Sequence, residues 1–395
     1  MTEENKKKIK DSLITIRTND YLLNVLSDIR RYEFGETEED YDFEMKQLTY
    51  HSNPKLNSHR YTSFSIPKKS GGMRDIMAPN RTLKLLQICA NKLLQIIYTP
   101  NSHVYGFTEG RSIVDGAKIH IYQNYVFNID LKDFFLSIDQ ARVWKRLQCP
   151  PFNFTQEVAS SMAGLCCHPM WVERKIDGEW KRVVRSVLPQ GAPTSPTLTN
   201  IICERLDYKL IGLAKRFGLR YTRYADDITF SSMHNVYQEG GEFRKELERI
   251  IEEQHFRINP KKTRLQGSAE RQEVTGLIVS DRVNVSKLYI KQLRVMLHNW
   301  EIFGYEEANN RFQLCYNRKG LIPKSTNMKA VLRGKLDFLQ MVKGENNDTY
   351  KKLCERYDRL VNRLHSDIEP QILIDLWRNN GLEKAVQKYK QLLTE

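Results

Sequence analysis

The sequence lacks the cysteine spacing of the common zinc domains. Its seven cysteines in 395 residues include no C-x-x-C pair, and zinc ribbons and zinc fingers are built from such pairs. Cys166 and Cys167 lie beside His168, but no second pair follows at zinc-like spacing. We therefore expect buried free thiols, and the odd number of cysteines fits a reducing compartment.

Long apolar runs are also missing. No stretch approaches the ~18 consecutive apolar residues that a membrane-spanning helix needs. The chain starts with MTEENKKKIK, which is polar and has no signal-peptide core. No internal repeat or low-complexity stretch stands out. These absences predict a cytoplasmic protein with no membrane partner.

Positive charge, in contrast, is abundant. The formal net charge is +14 and the isoelectric point is about 9.3, while 40% hydrophobic and 28% charged residues are ordinary for a folded protein. This balance favours a polyanionic partner, most often nucleic acid. A solvated excess of lysine without a binding role is the alternative.

The hydrophobic pattern divides the chain into three parts. Residues 1–55 are charged and predicted to be helical, residues 56–285 mix strands with helices, and residues 286–395 are predicted to be helices rich in Lys and Arg. Within the middle part, TLKLLQICANKLLQII predicts a helix with Leu83 and Leu86 on its apolar face. The predicted fold class is α+β.

Two local patterns predict strands in the middle part. In YVFNIDLKDFF the apolar residues alternate, which predicts a strand that buries Phe127 and Ile129 and presents Asp130 to a cleft. KIDGEWKR resembles a hairpin, because Asp177-Gly178 is a strong turn signal.

Two adjacent aspartates occupy an apolar setting. Asp226 and Asp227 lie inside YTRYADDITFS, a predicted strand–turn–strand, and neighbouring carboxylates repel each other and resist burial. A plain turn is the alternative, since Asp favours turns. If the strand that ends at Asp130 pairs with this hairpin, three carboxylates converge and metal ions are needed to neutralise them.

Such a cluster has a defined chemistry. Hard oxygen ligands suit Mg²⁺. Two ions about 3.5–4 Å apart can activate a sugar hydroxyl and stabilise a leaving pyrophosphate. The pattern therefore predicts nucleotidyl transfer.

These motifs resemble those of reverse transcriptases, in the same order along the chain. NIDLKDFFLSI resembles motif A, LPQGAPTSPTLTN motif B, YADD with its flanks motif C, and INPKKTRL motif D. IPKKSGGMRDIMAP followed by LKLLQ resembles the fingers motifs, and VTGLIV lies where the next motif is expected. The resemblance implies a right-hand polymerase with fingers, a palm containing an antiparallel sheet, and a helical thumb. It also implies RNA-directed DNA synthesis.

The resemblance assigns the catalytic and metal-binding residues. Asp130 and Asp226 would bind two Mg²⁺ ions, with Asp227 beside them and Mn²⁺ as a substitute. The backbone carbonyl of Leu131 would complete a metal shell. The three aspartates are the expected catalytic residues.

The resemblance also assigns residues that contact the nucleotide. Phe135 falls at the steric-gate position, where a bulky ring clashes with a ribose 2′-hydroxyl and favours deoxynucleotides. A core phenylalanine is the alternative, because Phe134 is adjacent and only one of the two can face the cleft. Gln190 and Gly191 in motif B would let the backbone approach the nucleotide and template closely.

Basic residues complete the implied nucleotide site. Lys68 and Arg74 flank the SGG tip and would clamp the triphosphate, since guanidinium binds phosphate in a bidentate manner. Lys69 is the rival of Lys68. Lys262 is a candidate acid for the pyrophosphate, with Lys261 as its rival. Exposed basic residues without a function are the alternative for all four lysines and the arginine.

Within this family the sequence is most similar to bacterial retron and retron-like, defence-associated enzymes. Val274, Thr275 and Gly276 match a tripeptide that in retrons helps to recognise the enzyme's own RNA. In GAKIH, His120 matches the N-A-x-x-H signature, but Gly116 stands where Asn is expected. His120 is interpreted as a hydrogen-bonded core residue or an RNA contact.

The resemblance implies partners as well. They are a structured non-coding RNA that serves as template and primer, its cDNA, dNTPs, and a toxin or effector protein encoded nearby, all within antiphage defence. The oligomeric state is left open. The alternatives are a group II intron-type maturase and a non-catalytic RNA-binding scaffold with a relic palm.

Overall fold

The computed structural model describes residues 1–13, 16–35, 42–57, 59–68, 71–317, 327–366 and 370–394. The chain forms two compact units, Met1–Arg282 and Val283–Glu395. In the described ranges, no helix combines the length and the apolar character that a membrane span requires.

The first unit combines helices with short antiparallel strands. Its helices are α1 (Glu3–Ser12), α2 (Asn19–Phe34), α3 (Met45–Ser52), α4 (Arg81–Ile97), α5 (Ile113–Lys118), α6 (Gln140–Leu147), α7 (Gln156–Cys166), α8 (Ser195–Arg216) and α9 (Glu242–Glu253). Its strands are β1 (Tyr61–Pro67), β2 (Met73–Pro79), β3 (Tyr125–Asp130), β4 (His168–Ile176), β5 (Glu179–Val187), β6 (Arg220–Tyr224), β7 (Asp227–Ser232), β8 (Arg264–Gly267), β9 (Glu273–Val274) and β10 (Leu277–Val279). This mixture confirms the predicted α+β class.

A four-stranded antiparallel sheet positions the candidate site. Its strand order is β6-β7-β3-β8, and its register pairs Phe127 with Phe230 and Asp130 with Asp227. Side chains alternate between the two faces of a sheet. Phe127 and Phe230 are at most 1% exposed and pack against Phe243 of α9. The two aspartates therefore belong to the opposite, polar face.

The N-terminal helices share the hydrophobic core of the first unit. Ile9 of α1, Leu22 of α2 and Leu48 of α3 are at most 1% exposed, and they belong to the same buried cluster as Leu83 and Leu86. The predicted apolar face of α4 is thus confirmed. It packs against α1 and α2 and also contacts α7 and α8.

Two hairpins extend from this unit. β1 pairs with β2 over seven residue pairs, and the connection contains Gly71 and Gly72, both at positive φ. β4 pairs with β5 over nine residue pairs, and its turn residues Asp177 and Gly178 have φ values of 54° and 83°. Two positive φ values are typical of the type I′ hairpin turn, which confirms the hairpin predicted from Asp-Gly.

The adjacent cysteines are structural. Cys166 and Cys167 are both 0% exposed and carry free thiols. Burial raises the pKa of the Cys166 thiol to about 11, so it stays protonated at neutral pH. The two residues are therefore the buried thiols that the sequence predicts.

The second unit is helical apart from one short strand, over its described residues. It consists of β11 (Val283–Asn284), α10 (Lys287–Asn317), α11 (Met328–Lys343), α12 (Asp348–Ser366), α13 (Pro370–Asn380) and α14 (Leu382–Thr394). α10 bends at Gly304, where φ is 73°. α10, α11 and α12 pack on one another and bury Leu297, Leu336 and Leu353.

Candidate active site

The predicted catalytic carboxylates lie at neighbouring strand ends. β3 ends at Asp130, β7 begins at Asp227, and the two residues are register partners. Asp226 precedes Asp227 in the two-residue connection from β6. Its backbone carbonyl accepts a hydrogen bond from the Leu131 N–H at 3.0 Å. The sheet therefore brings aspartates from two distant motifs together.

Asp130 is more enclosed than the sequence predicts. It is 3% exposed and not open to a cleft, because side chains from the segment before β8 cover it. Asn259 Nδ2 donates to Asp130 Oδ1 at 3.0 Å, and Lys262 Nζ donates to Asp130 Oδ2 at 2.6 Å. Of the two rival lysines, Lys262 is the one that reaches a predicted catalytic carboxylate.

Burial and repulsion between carboxylates favour the protonated forms of Asp226 and Asp227. Burial raises the pKa of Asp226 to about 7, and the charges of Asp227 and Asp130 add to this effect. Burial followed by the Asp130 charge also raises the pKa of Asp227, although that side chain keeps a solvent-exposed edge. For Lys262, burial lowers the pKa, but the hydrogen bond and the charge of Asp130 outweigh burial and raise it. The cluster therefore stabilises positive charge.

The donor set fits a hard divalent cation. Carboxylate oxygens are the ligands that Mg²⁺ prefers, and the Lys262 ammonium already occupies one of them. Among the described residues, no three His, Cys, Asp or Glu side chains form a ready metal-binding group. An ion bound at Asp130 Oδ2 would compete with Lys262 for that oxygen. The predicted metal contact of the Leu131 carbonyl stays a prediction.

A buried ion pair supports the turn that carries Asp226. Ala225 has a φ of 56°, a conformation that glycine usually supplies. Arg223 Nη1 donates to the Ala225 carbonyl at 3.1 Å. Arg223 is 0% exposed and forms a bidentate pair with Asp207 of α8, with both N–O distances at 2.7 Å. Nη1 also donates to Asn200 Oδ1 at 3.2 Å. The pair fixes the turn to α8.

A segment from the other side of β6 also encloses the turn. The Arg223 N–H donates to the His103 carbonyl at 3.0 Å, and the Tyr105 N–H donates to the Arg223 carbonyl at 2.8 Å. Gly106 follows, and a Cβ there would lie 2.5 Å from the Ala225 backbone nitrogen. Glycine is therefore required beside the turn that carries Asp226.

The structure separates the two adjacent phenylalanines. Phe134 is 4% exposed and lies in the core, whereas Phe135 is half-buried at the start of a short 3-10 helix. The Phe135 ring lies 6.3 Å from that of Phe107, which lies 6.4 Å from that of Tyr224. Tyr224 pairs with Asp227 in the sheet. Phe135 thus belongs to an aromatic row beside the carboxylates.

The motif B loop lies against β2. The Gln190 carbonyl accepts a hydrogen bond from the Met77 N–H at 2.8 Å. Gly191 has a φ of 122°, and a Cβ there would lie 2.6 Å from the Met77 carbonyl oxygen. The close approach of β2 thus requires glycine at position 191. The family resemblance implies a different reason for this glycine, namely the approach of the nucleotide and template.

The predicted phosphate clamp lies at the exposed end of the β1–β2 hairpin. Lys68 and Arg74 are both exposed, and the Lys68 N–H donates to the Gly72 carbonyl at 2.9 Å. Over the described ranges, neither side chain has a hydrogen bond or ion pair with the catalytic carboxylates. Lys69, the rival of Lys68, lies outside the described residues.

The predicted RNA-binding tripeptide forms a tight turn between β9 and β10. Thr275 and Gly276 have φ values of 48° and 81°, as in a type I′ turn. Thr275 is half-buried and Gly276 is exposed, whereas Val274 is 1% exposed. The turn residues can contact an RNA, while Val274 has almost no surface to offer.

His120 is a core residue and not an RNA contact. It is 0% exposed, and its ring nitrogens lie 2.7 Å from Ser231 Oγ and 2.7 Å from Thr222 Oγ1. Burial lowers its pKa to about 3, so the ring is neutral. The structure therefore corrects the prediction that His120 contacts RNA. Nearby, a Cβ on Gly116 would lie 3.2 Å from the Tyr105 ring, so a larger residue there would require a small shift of that ring.

Several supporting residues were not predicted from the sequence. They are Asn200, Asp207, Arg223, Asn259 and Gly106. Two of them leave a signal, because a charge interrupts an apolar pattern. Asp207 follows Leu206 in the apolar stripe of α8, and Arg223 lies on the same face of β6 as the buried Tyr221. Such interruptions indicate an ion pair between two buried elements.

Comparisons with known proteins agree with this geometry. Residues 66–279 match the family described as Reverse transcriptase (RNA-dependent DNA polymerase). The chain is 39% identical over 249 residues to the retron Mx65 reverse transcriptase of Myxococcus xanthus, covering 62% of this chain and 57% of that protein. It is 36% identical over 247 residues to the retron Ec86 reverse transcriptase of Escherichia coli, covering 61% and 70%.

A third relative and one solved structure extend the comparison. The retron Mx162 reverse transcriptase of Myxococcus xanthus is 33% identical over 274 residues, covering 65% of this chain and 55% of that protein. The chain thus spans little more than half of the two Myxococcus proteins. The structure of telomerase from Candida albicans with a TWJ fragment of telomeric RNA aligns at a TM-score of 0.40 and 11% identity, over 85% of this chain and 66% of that chain. That similarity is too low to support an inference. From the family match and the retron relatives, the chain belongs to the reverse transcriptases, and within them to the retron reverse transcriptases.

Proposed function

We propose that the protein is an RNA-directed DNA polymerase that copies a dedicated non-coding RNA into cDNA. The β3–β7 register carries this proposal, because it sets Asp130 beside Asp227 and Asp226. Carboxylates of two motifs that lie far apart in sequence meet at one end of a rigid sheet. If Asp226 and Asp227 formed only a plain turn, there would be no reason for a buried Asp130 beside them or for a lysine that neutralises it.

Asp130, Asp226 and Asp227 would hold two Mg²⁺ ions, with Mn²⁺ as a substitute. When bound, such ions activate a primer hydroxyl and stabilise the leaving pyrophosphate. Their binding requires Asp226 to lose the proton that burial favours. It also requires Asp130 to exchange its contact with Lys262 for the ion.

Lys262 then has a second task. Its pKa is raised, so the ammonium keeps its proton at neutral pH. Once released from Asp130, Nζ would remain near the carboxylates and could donate a hydrogen bond or a proton to a pyrophosphate oxygen. The exposed part of its side chain, 53%, supports this movement.

The remaining predicted residues would select and orient the dNTP. The half-buried ring of Phe135 would exclude a ribose 2′-hydroxyl. Gln190 and Gly191 would form the floor beside β2. Lys68 and Arg74 would bind the triphosphate from the hairpin tip, where they are free to reach an incoming nucleotide.

The RNA partner and the biological setting are extended from the relatives. Their names identify retron reverse transcriptases. We infer that this chain recognises its own structured RNA in part through Thr275 and Gly276. We also infer a role in antiphage defence together with an effector protein encoded nearby.

Primer extension tests the proposal. The purified protein is given an RNA template, a DNA primer, dNTPs and Mg²⁺. The expected product is template-dependent, sensitive to DNase, and abolished by a chelator. Synthesis on a DNA template alone, or no synthesis with either Mg²⁺ or Mn²⁺, would contradict an RNA-directed polymerase.

A further inference from the structure

The β4–β5 hairpin presents an outer face that plays no part in the site described above. The register pairs Trp171 with Val184, Glu173 with Arg182, and Lys175 with Trp180. Paired residues lie on the same side of a hairpin, and all six are exposed. We call these six residues the outer ribbon face.

The outer ribbon face carries unbalanced positive charge. Its one carboxylate, Glu173, binds Lys132 and Arg257, each at 3.1 Å. Lys175 and Arg182 have no carboxylate within the 4.0 Å limit of an ion pair among the described residues. Lys132 and Arg257 also pair with Asp133, at 4.0 Å and 3.5 Å. Four cations thus face two carboxylates, and the excess of two positive charges favours a polyanion.

Exposed indole rings accompany these cations. Trp171 is 60% exposed and Trp180 is 51% exposed. The Arg182 guanidinium lies 5.4 Å from the Trp171 ring centre, and that of Arg257 lies 3.7 Å from the Trp180 ring centre. Aromatic rings flanked by arginine are typical of surfaces on which unpaired bases stack.

A basic groove borders the hairpin. It has a volume of about 870 Å³. Four carboxylates and seven cationic side chains line it. The cationic residues are Arg142, Lys145, Arg146, Arg174, Lys175, Arg205 and Arg257. Lys145 and Arg205 form no ion pair within the described ranges. The groove continues the positive charge of the ribbon along α6 and α8.

The outer ribbon face also adjoins the candidate active site. Lys132, which binds Glu173, follows Asp130 by two residues, and Arg257 precedes Asn259 by two residues. Arg257 also forms an ion pair with Asp133 at 3.5 Å. A strand bound on the ribbon could therefore pass directly to or from the carboxylates.

We propose that the outer ribbon face and the adjoining groove bind single-stranded RNA, with bases stacked on Trp171 and Trp180 and phosphates bound by Lys175 and Arg182. The inference rests on the proposed function and adds a site for the unpaired part of the template. Stacking selects single strands over duplexes, in which the bases are already stacked.

Equilibrium binding tests the proposal without requiring catalysis. The full chain, the double variant Trp171→Ala/Arg182→Ala and the variant Tyr21→Ala are titrated into a labelled homopolymeric RNA strand, without dNTPs or metal. Tyr21 is a matched control, because it is an aromatic residue with 51% exposure on α2. We expect the double variant to bind about tenfold or more weakly, with a shallower salt dependence. The control should bind like the wild type.

Two further measurements define the outcomes. Trp171→Phe keeps an aromatic ring, so this variant should retain most of the wild-type affinity for RNA. That result would separate a loss of stacking from a folding defect. An RNA duplex should show a much smaller change than the single strand. Unchanged single-strand binding by the double variant would overturn the proposal, as would equal losses for duplex and single strand. Since no synthesis is measured, failure here is distinct from failure of the polymerase proposal.

Discussion

Two hairpins of the first unit have opposite properties. In the catalytic hairpin β6–β7, Tyr221, Ile228 and Phe230 are at most 2% exposed. In the β1–β2 hairpin, Phe64 and Met73 are 48% and 56% exposed. Both hairpins are antiparallel and both carry predicted site residues. They differ in how much of the surrounding protein supports them.

The difference matches the tasks that we propose for them. The turn of β6–β7 would hold metal ligands, whose geometry must be accurate, and Arg223 and Gly106 contact Ala225 from two sides. The turn of β1–β2 must admit a triphosphate. Around its Gly71 and Gly72, a Cβ would meet no atom within 4 Å. The turn that we propose for metal binding is therefore held by its neighbours, and the turn that we propose for nucleotide binding lies in open space.

The largest expected effect is the removal of the buried arginine. Arg223→Met leaves Asp207 buried without its partner, which costs about 3–5 kcal/mol. It also removes the donor to the Ala225 carbonyl. We expect a large loss of unfolding free energy, measured by urea denaturation, and a loss of primer extension.

A second variant separates stability from positioning. Asp207→Leu combined with Arg223→Met replaces the ion pair by apolar groups and should recover much of the stability. Synthesis should stay low because the turn still lacks its donor. Full recovery of synthesis would show that the pair is merely structural.

A pair of glycines compares the two turns directly. Gly106→Ala forces a Cβ against the Ala225 backbone nitrogen and should cost about 1–3 kcal/mol together with most of the activity. Gly71→Ala has free space but a φ of 86°, so only backbone strain of about 1 kcal/mol is expected. Thermal unfolding and primer extension measure both. Equal losses of activity would remove the contrast between the hairpins.

The catalytic hairpin should also be sensitive to acid through His120. Its pKa is about 3 in the folded protein against an ordinary value of 6.5, so below pH 6.5 only the unfolded chain takes up the proton. Stability is therefore complete above pH 6.5 and falls by about 1.4 kcal/mol per pH unit from there toward pH 3. His120→Asn should flatten this slope in urea titrations at several pH values. An unchanged slope would assign acid sensitivity to other groups.

The smallest effect on stability is expected at the open hairpin. Arg74→Ala should change the unfolding free energy by less than about 0.5 kcal/mol, since Arg74 is an exposed surface residue. It should raise the KM for dNTPs about tenfold, because a charged hydrogen bond to phosphate is lost. Arg74→Lys should recover part of that affinity. An unchanged KM would remove Arg74 from the nucleotide site.

Local patterns in the sequence predict helices, strands and turns better than they predict the contacts that hold these elements in place. Alternation identified β3, and Asp-Gly identified the β4–β5 turn, because both depend on neighbouring residues. The resemblance to a family supplied the order of motifs. The Arg223–Asp207 pair depends on β6 meeting α8, and the cover that Asn259 places over Asp130 depends on the segment before β8. Contacts between distant segments leave no local periodicity, so the enclosure of Asp130 was not predicted. For His120, the sequence left a buried core residue and an RNA contact as alternatives.

Single-nucleotide incorporation by matched aspartate variants tests the central claim most directly. Asp226→Asn removes a proposed metal ligand, whereas Asp133→Asn removes a nearby carboxylate that pairs with Arg257. Asp133 has a φ of 50°, which Asn also tolerates. Both variants should stay folded, since Asp226→Asn relieves repulsion. We predict that Asp226→Asn lowers the rate at least about 100- to 1,000-fold and that Asp133→Asn changes it only a few-fold. Equal rates for the two variants would contradict the account.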